Sequence, residues 1–399
     1  MKKLMILGAS ILQLPAILKA KELGLQVIAV DMDKNAIGFK YADICLEIST
    51  IDIPKVVSAA KQYNINGIIT LASDMPMRTV AAVVKELNIV GVSEETALTA
   101  TNKVLMRECL LSHNVPVPSF FKVNSYDEYQ IVIKNFINKS IVKPADNSGS
   151  RGVFLINNIN DQESIEFAYK YSKKYSRCGE IVVEEYMEGV EVSVETLSID
   201  GIVHTIAITD KLTTGAPRFV EIGHSQPSRL PEAIKEEIIA VSAAAVKAIG
   251  IKEGPSHTEI IVTNDGPKIV EIGARLGGDN ITTHLVPLST GIDMVKCCIE
   301  IALGYVPNLK RETIKASAIR YFSTSAGKIT KIDGIEEAKK IEGVKQISFT
   351  KNINDTINEI NCSSDRIGFV ITQSDTAENA IAICQTVINA IKIGIGENS

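Results

Sequence analysis

The first hundred residues alternate short apolar runs with longer amphipathic stretches. The apolar runs predict buried strands at 4–8, 26–31, 67–71 and 89–91, and the amphipathic stretches predict helices up to about Leu23, near 52–63 and at 76–87. Strands that alternate with helices in this way are typical of a parallel sheet with helices on its faces. The first turn, GASILQLP, lacks the second and third glycines of a dinucleotide-binding fingerprint, which disfavours an NAD-dependent oxidoreductase.

The remaining three hundred residues mix helical and strand periodicities. Helices are predicted at 94–113, 125–138, 161–175, 232–249 and about 292–303, and strands at 140–143, 181–186, 190–197 and 202–208. The segment 210–231 is too polar and too rich in Pro and Gly for a regular element, so it is predicted to be a long loop. From about 313, short strands and helices that end with a helix near 376–392 predict a small α+β region.

The bulk composition limits the classes of function. A chain of 399 residues exceeds one ordinary core, so about two to three domains are expected. A net charge of −5, 5% aromatic residues and no tryptophan give no basis for nucleic-acid binding. No run of about 18 apolar residues occurs, so no membrane span is expected. Seven scattered cysteines without a CxxC motif fit reduced thiols in a cytoplasmic protein.

A β-hairpin is predicted where two apolar runs, 257–262 and 268–273, flank an Asn-Asp-Gly-Pro turn. Because strand side chains alternate between faces, His257 and Glu259 share one face. Glu271, Gly273 and Arg275 share a face of the partner strand if that strand extends so far. Two carboxylates and a guanidinium on one side are suited to hold Mg²⁺ and to stabilise a transferring phosphoryl group. The alternative is a solvated hairpin face with incidental charges.

Between two predicted strands lies a flexible segment, DNSGSRGVFLI at 146–156. Its small residues are Asn147, Ser148, Gly149, Ser150 and Gly152. Glycines let backbone N–H groups approach phosphate oxygens closely, and such a loop can close over them as a lid. Lys143 precedes the loop and can serve as a point charge for phosphate. The alternative is a flexible hairpin turn, because no GKS or GKT follows as in a Walker loop.

Acidic residues also mark the strands around 181–197. The first strand ends in Glu184 and Glu185, and its backbone near Tyr186 and Met187 could bind an adenine edge. In the second strand the alternation places Glu191 on one face, where a carboxylate can accept both hydroxyls of a ribose. An antiparallel sheet with one wet face would show the same alternation.

Two further segments carry candidate substrate residues. The long loop at 210–231 contains Lys211, Arg218, Glu221 and His224, and long loops in compact domains are often functional. Asp74, after Ser73, follows a predicted parallel strand at the edge where α/β sheets bind small ligands.

The order of these features resembles the ATP-grasp superfamily of ATP-dependent carboxylate–amine ligases. Lys103 on a helix is followed by Lys143, the Gly/Ser loop, the strand ending Glu-Glu-Tyr, Glu191 and finally the acidic hairpin. The resemblance implies α/β and α+β architecture: a Rossmann-like pre-grasp domain at 1–98, a two-lobed ATP-grasp domain at 99–310 and a small C-terminal α+β domain at 311–399. The lid lobe is expected at about 118–188.

The resemblance also implies a role for each matched position. Lys103 and Lys143 would bind the phosphates of ATP, with Ser148, Gly149, Ser150 and Gly152 as the lid. Glu184, Glu185, Tyr186 and Met187 would surround adenine, Glu191 would bind the ribose, and Glu259 and Glu271 would hold Mg²⁺ or Mn²⁺. Arg275 would be catalytic and steady the transferring phosphate. Many members carry Asn two residues after the second metal carboxylate, whereas this chain has Gly273 there, which leaves a place for water.

The segment from Lys211 to Ser228 and the form EIGARLGGD most resemble the amino-acid ligases that make dipeptides. Carbamoyl-phosphate synthases and phosphoribosylglycinamide synthetase are more distant. The substrate residues expected on this basis are Lys211, Arg218, Glu221, His224, His257, Gly277 and Gly278. Small-molecule partners are expected, no nucleic acid and no membrane, and the resemblance allows a homodimer. A purine-pathway ligase and a non-catalytic ATP-binding protein remain alternatives.

Overall fold

The computed structural model of the protein describes residues 1–137, 139–360 and 362–396, and the strands within these ranges form four sheets. The first strands are β1 (Lys3–Leu7), β2 (Gln26–Asp31), β3 (Ile44–Glu47) and β4 (Gly67–Ile69). They are parallel and lie in the order β3-β2-β1-β4. The helices are α1 (Leu14–Glu22), α2 (Ile53–Tyr63) and α3 (Pro76–Leu87). Leu4 and Ile6 pack with α1 and Met5 and Leu7 with α2 and α3, so both faces of the sheet are covered as predicted.

Two short helices, α4 (Glu94–Ala100) and α5 (Lys103–Ser112), replace the single helix predicted at 94–113. Asn102 between them is extended, and its side chain accepts hydrogen bonds from the backbone N–H groups of Val104 and Leu105. An asparagine in this position starts a new helix because it satisfies amide groups that have no partner within the helix. Lys103 is therefore the first residue of α5, and its side chain is oriented by the start of the helix.

The second sheet contains β5 (Phe120–Val123), β6 (Ser140–Pro144), β7 (Phe154–Ile156) and β8 (Ile181–Glu185), antiparallel in the order β5-β8-β6-β7. Helices α6 (Tyr126–Val132) and α7 (Gln162–Tyr175) pack on it through Tyr129 and Ile165. The helix predicted at 125–138 ends at Val132 and continues only as a 3₁₀ turn to Asn135, and position 138 lies outside the described residues.

The next elements build the largest sheet and its helices. They are β9 (Val190–Ile199), β10 (Ile202–Thr213), β11 (Glu221–Gln226), α8 (Glu232–Ile249), β12 (Gly254–Thr263), β13 (Gly266–Gly273), α9 (Val286–Thr290) and α10 (Met294–Ala302). The predicted long loop at 210–231 is wrong in part, because β10 extends to Thr213 and β11 pairs with it. The strand predicted at 89–91 is also wrong. Its first amide, on Ile89, donates to the carbonyl oxygen of Val84 and so closes the end of α3.

The C-terminal elements are β14 (Ala316–Tyr321), β15 (Gly327–Asp333), α11 (Ile335–Ala338), β16 (Val344–Phe349), β17 (Thr356–Ile357), β18 (Gly368–Ser374), α12 (Ala377–Ala390) and β19 (Lys392–Gly396). The largest sheet has the order β13-β12-β9-β10-β11-β14-β18-β16, and a small sheet has the order β17-β15-β19. The large sheet therefore continues across position 311, where the sequence predicts a domain boundary. Among the helices of the described residues, none has the length and apolar character to span a membrane.

Candidate active site

A cavity of about 470 Å³ lies between the second sheet and the hairpin end of the largest sheet. Most of the residues singled out from the sequence line it. They are Lys103, Lys143, Ser148, Gly149, Ser150, Glu184, Glu185, Tyr186, Met187, Glu191, Lys211, Glu221, His257, Glu259, Glu271 and Arg275. Gly152, Arg218, His224, Gly277 and Gly278 lie beyond the cavity wall. Residues from five separate segments of the chain thus meet around one space.

Two buried lysines project from different elements into this cavity. Lys103 Nζ at the start of α5 donates to the backbone oxygen of Asn147 at 2.7 Å and lies 3.1 Å from Glu271 Oε1. Lys143 Nζ on β6 lies 2.7 Å from Glu184 Oε2. Asn147, next to the candidate phosphate lid, therefore fixes the ammonium group of Lys103, and Glu184, at the end of β8, fixes that of Lys143. An anionic ligand in the cavity could contact both ammonium groups.

Glu184 connects Lys143 to a residue that the sequence analysis missed. Arg107 on α5 donates from Nε to Glu184 Oε1 at 2.7 Å and from Nη2 to the backbone oxygen of Val270 at 2.7 Å. Burial alone would raise the pKa of Glu184, but the two cations lower it to about 2. Arg107 thereby links α5, β8 and β13, and it restricts the rotation of the Glu184 side chain.

The loop after β6 contains three residues with positive φ. Gly149 and Gly152 have φ values of +63° and +80°, and Ser150 also has a positive φ of +56°. A Cβ at Gly152 would lie 2.7 Å from the Tyr175 side chain and 3.1 Å from Pro144, whereas one at Gly149 would meet open space. Gly152 is thus a packing hinge at the loop base, and Gly149 leaves its backbone open toward the cavity. Arg151, a further cation in this loop, also lines the cavity.

The strand end at β8 forms the opposite wall. Glu185 Oε1 lies 2.9 Å from Lys268 Nζ, and the Lys139 ammonium lies 5.3 Å from the centre of the Tyr186 ring. Met187 lies next to Tyr186 on the same wall. An aromatic ring and a thioether beside a strand end form an apolar surface on which a flat heterocycle can lie.

A buried lysine lies among three carboxylates at the inner end of the cavity. Lys211 Nζ is 2.6 Å from Glu191 Oε1, 3.1 Å from Glu259 Oε1 and 3.7 Å from Glu221 Oε1, and its side chain is 4% exposed. Burial alone would lower the pKa of Lys211, but the carboxylates raise it well above its ordinary value. The lysine ammonium therefore already acts as the counter-cation of this acidic cluster.

The predicted hairpin forms with the two acidic residues in direct register. Glu259 on β12 is paired with Glu271 on β13, and His257 with Gly273. Val270 is a one-residue bulge, since Ile260 pairs with Ile269 rather than with Val270. The carboxylates of Glu259 and Glu271 thus leave the same face of the sheet and enter the cavity. Among the described residues no three His, Cys, Asp or Glu side chains form a ready-made metal site.

His257 lies between two carboxylates. Its Nδ1 is 2.6 Å from Glu195 Oε1, and its Nε2 is 3.5 Å from Glu259 Oε1. Burial alone would lower the pKa of His257, but Glu195 and Glu259 raise it to about 9. Burial alone would raise the pKa of Glu259, but Lys211 and His257 hold it well below its usual range. His257 therefore supports the charged form of Glu259.

Arg275 follows the end of β13 by two residues and lines the cavity. Its Nε donates to Asp74 Oδ1 at 2.8 Å, and its Nη2 donates to Asp74 Oδ2 at 3.3 Å. Asp74 was considered in the sequence only as a candidate substrate residue at a strand end. The structure instead gives it a protein partner 201 residues further along the chain.

Four candidate substrate residues, His224, Gly277, Gly278 and Arg218, lie beyond the cavity wall. His224 Nε2 lies 3.3 Å from Asp279 Oδ2, and Asp279 is held by Arg366 through two contacts of 2.8 Å and 2.7 Å. A Cβ at Gly277 would lie 2.7 Å from His257 Nδ1, so the backbone passes close behind the histidine only because Gly277 lacks a side chain. Gly278 continues that turn, and Arg218 is exposed in the turn before β11. The sequence analysis missed Asp279 and Arg366, which no periodic signal connects.

Two protein families match this chain. The ATP-grasp domain family matches residues 137–283, and the family described as L-amino acid ligase C-terminal domain 2 matches residues 320–396. An L-arginine-specific L-amino acid ligase from Bacillus subtilis is 26% identical over 302 residues, which cover 74% of this chain and 73% of the relative. A phosphoribosylamine–glycine ligase from Methanococcus maripaludis is 25% identical over 376 residues, which cover 86% and 83%.

A solved structure extends the likeness to the entire fold. The crystal structure of an L-amino acid ligase from Bacillus licheniformis superposes with a TM-score of 0.87 at 24% sequence identity, and covers 100% of this chain and 99% of that one. The two family matches identify an ATP-grasp domain and an L-amino acid ligase C-terminal domain in this chain. This combination of domains makes the protein an ATP-dependent carboxylate–amine ligase.

Proposed function

We propose that this ligase activates an amino-acid carboxylate as an acyl phosphate and joins it to the amine of a second amino acid. The observation that carries the proposal is the hairpin geometry: Glu259 and Glu271 face one cavity together with Arg275 and two buried lysines. The match to an L-amino acid ligase C-terminal domain favours amino acids over a ribonucleotide as substrates. The division into domains at 1–98, 99–310 and 311–399 is part of the same proposal.

The nucleotide is proposed to lie along the cavity from Tyr186 toward the hairpin. The apolar wall at Tyr186 and Met187 suits adenine, with Glu184 and Glu185 behind it, and Glu191 suits the ribose hydroxyls. Lys103 and Lys143 are positioned for the phosphates, and the loop from Ser148 to Gly152 for closure over them. Closure matters because an acyl phosphate hydrolyses if water reaches it.

Glu259 and Glu271 are proposed to hold Mg²⁺ or Mn²⁺ together with the phosphates. Mg²⁺ in nucleotide sites commonly takes one or two carboxylates and completes its octahedron with phosphate oxygens and waters. Two facing carboxylates, each now neutralised by a lysine, fit that pattern. The bound cation would neutralise the charge that develops on the phosphates.

The chemistry proceeds in two displacements. A carboxylate oxygen of the first substrate attacks the γ-phosphorus, the bond to the β–γ bridging oxygen breaks, and ADP leaves. The amine nitrogen of the second substrate then attacks the acyl carbon, loses a proton and expels inorganic phosphate. The protein contributes alignment and positive charge rather than a covalent intermediate. Arg275 is proposed to stabilise the transferring phosphoryl group in the first displacement and the departing phosphate in the second.

The substrate end of the site is proposed to lie at the inner acidic cluster. Glu221, beside Lys211, offers a carboxylate for a substrate ammonium group. His224, paired with Asp279, and His257, paired with Glu195, are proposed as further residues of this end of the site. Gly277 and Gly278 leave room for the backbone turn there, and Arg218 is proposed as a residue of the entrance.

Phosphate release from MgATP over a panel of L-amino acids, singly and in pairs, tests the proposal. Amino-acid-dependent release with ADP as product is expected, and mass spectrometry should find the dipeptide. Release only with phosphoribosylamine and glycine would identify a purine-pathway ligase instead. No release above the rate without substrate would contradict the ligase proposal.

A further inference from the structure

Asp74 is contributed by the N-terminal parallel sheet but forms its ion pair with Arg275 of the candidate active site. The two side chains are 10% and 13% exposed, and the carboxylate receives the guanidinium through two hydrogen bonds. Burial alone would raise the pKa of Asp74, and the charge of Arg275 lowers it below the ordinary value. The pair is therefore a mostly buried ion pair, in which a planar two-point contact fixes the direction of the guanidinium.

The backbone that carries Asp74 is fixed on both sides. Leu71 pairs in parallel with Leu276, and the Ala72 amide donates to the Leu276 carbonyl oxygen at 3.3 Å. Gln13 donates to the Leu71 carbonyl oxygen at 3.0 Å, and after Asp74 the chain enters α3 at once. Ala72 also has a positive φ of +51°, which a non-glycine residue adopts only when its surroundings hold it there. Asp74 is thus presented by a rigid strand end joined to the segment that contains Arg275.

Gly273 provides the space for the pair. A Cβ at this position would lie 3.0 Å from Asp74 Oδ1 and 3.1 Å from the Cζ and Nε atoms of Arg275. A larger side chain would therefore push on both partners at once. Gly273, the last residue of β13, therefore lacks a side chain at the point where the Asp74 carboxylate and the Arg275 guanidinium meet.

The ion pair with Asp74 leaves some N–H donors of Arg275 available to a ligand. A guanidinium has five N–H donors. Asp74 takes one at Nε and one at Nη2, and the Leu276 carbonyl oxygen takes one at Nη1 at 3.3 Å. Two N–H groups, one on each terminal nitrogen, remain for a ligand in the cavity. That is the fork geometry with which arginine contacts two oxygens of a phosphate.

We propose that Asp74 is a positioning residue of this ligase, which holds the Arg275 guanidinium so that its two remaining N–H groups meet the transferring phosphoryl group. The inference rests on the proposed function. It assigns the N-terminal region an indirect part in the phosphoryl-transfer step, since Asp74 acts through Arg275.

The first experiment compares Asp74→Asn, Arg275→Ala and the double variant in phosphate release with the amino acids that the wild type accepts. Asp33→Asn, an exposed aspartate in the same region, is the matched control. Loss of orientation should lower kcat of Asp74→Asn by about 10–100-fold with little change in the KM for ATP. The double variant should be no slower than Arg275→Ala, because both substitutions remove one function. A wild-type kcat in Asp74→Asn, or full additivity in the double variant, would overturn the proposal.

The second experiment does not depend on turnover. Phenylglyoxal modifies accessible arginines, and mass spectrometry gives the rate at Arg275. That rate should rise at least about fivefold in Asp74→Asn and stay at the wild-type value in Asp33→Asn. An unchanged rate would show that Asp74 does not order the guanidinium and would overturn the proposal. If the wild type released no phosphate with any substrate, the proposed function would fail, whereas this rate would still decide whether Asp74 orders Arg275.

Discussion

Glu259 lies directly opposite Glu271 in the register of the β12–β13 hairpin, and each carboxylate is paired with a lysine from a distant element. Lys211 lies 3.1 Å from Glu259, and Lys103 lies 3.1 Å from Glu271. Two neighbouring buried carboxylates repel each other unless cations lie between or beside them. Lys211 and Lys103 thus neutralise the two carboxylates while no metal–nucleotide complex is bound.

Substitution of Glu271 or Arg275 should strongly reduce catalysis without unfolding the protein. We expect Glu271→Ala or Arg275→Ala to lower ATP turnover by about 10²–10³-fold, since groups that stabilise developing charge have effects of this size. Circular dichroism and a melting curve should show a folded chain. Glu188→Gln, at a carboxylate 73% exposed and paired with Lys139, is the control and should keep normal turnover. Wild-type turnover in Glu271→Ala or Arg275→Ala would refute the assigned roles.

Replacement of Lys211 should change how the empty site binds a divalent cation. The ammonium of Lys211 competes with a metal for Glu259, so Lys211→Met should bind Mn²⁺ without nucleotide at least about tenfold more tightly, equivalent to ~1.4 kcal/mol. Electron paramagnetic resonance of free Mn²⁺ measures this directly. Lys268→Met removes a lysine that pairs with Glu185 and should leave Mn²⁺ affinity unchanged. Equal affinity in Lys211→Met and the wild type would contradict the competition.

The buried Glu184 should make stability depend on pH in the acidic range. Its folded pKa of about 2 lies below the ordinary value of 4.5, so its contribution is present above about pH 4.5 and is lost as the pH falls toward 2. That difference corresponds to about 3 kcal/mol of unfolding free energy. Glu184→Gln should therefore lose less stability than the wild type between pH 5 and pH 3 in urea unfolding.

The neighbouring carboxylate provides the comparison for that experiment. Glu185 is paired with Lys268 and is about one-third exposed, so Glu185→Gln should follow the wild-type pH dependence closely. The account of the Arg107–Glu184–Lys143 network would be wrong if Glu184→Gln and Glu185→Gln lost stability in parallel over this range.

The Asp279–Arg366 pair should be worth far more than a surface ion pair. Arg366 has a side chain 11% exposed, contacts both oxygens of Asp279 and lies 3.8 Å from the centre of the Tyr321 ring. Arg366→Met removes the permanent cation from a mostly buried carboxylate, which keeps its 3.3 Å contact with His224, and should cost about 3 kcal/mol in unfolding free energy. Arg229→Met breaks a pair with Asp210 in which the arginine is 50% exposed, and should cost under about 1 kcal/mol. Similar losses for both variants would count against a structural role for the Arg366 contact.

Local sequence patterns predicted the parts of the site that local rules determine. Alternation by two and the Asn-Asp-Gly turn predicted the hairpin and the common face of Glu259 and Glu271. The spacing of apolar runs predicted β1, β2 and β4, and the small residues predicted a loop between β6 and β7. The edge strands β3, β5 and β19 were missed, because most of their residues are half-buried or exposed and form no continuous apolar run.

The partners of the buried charges could not be predicted in this way. Arg107 and Glu184 are separated by 77 residues, Asp279 and Arg366 by 87, and Asp74 and Arg275 by 201. Such pairs depend on how sheets and helices pack, and their separations follow no regular pattern in the sequence. The strand β11 was taken for loop for a related reason: Glu221 lines the cavity and His224 contacts Asp279, so polar residues weaken its apolar pattern.

The fate of the carboxylate oxygen tests the central claim most directly. L-Amino acids labelled with ¹⁸O in both carboxylate oxygens are incubated with the enzyme and MgATP, and the products are analysed by mass spectrometry. Attack on the γ-phosphorus predicts ADP as the nucleotide product and one ¹⁸O atom in the inorganic phosphate for each peptide bond formed. Label in AMP with release of pyrophosphate would contradict an acyl-phosphate ligase, as would phosphate that carries no label.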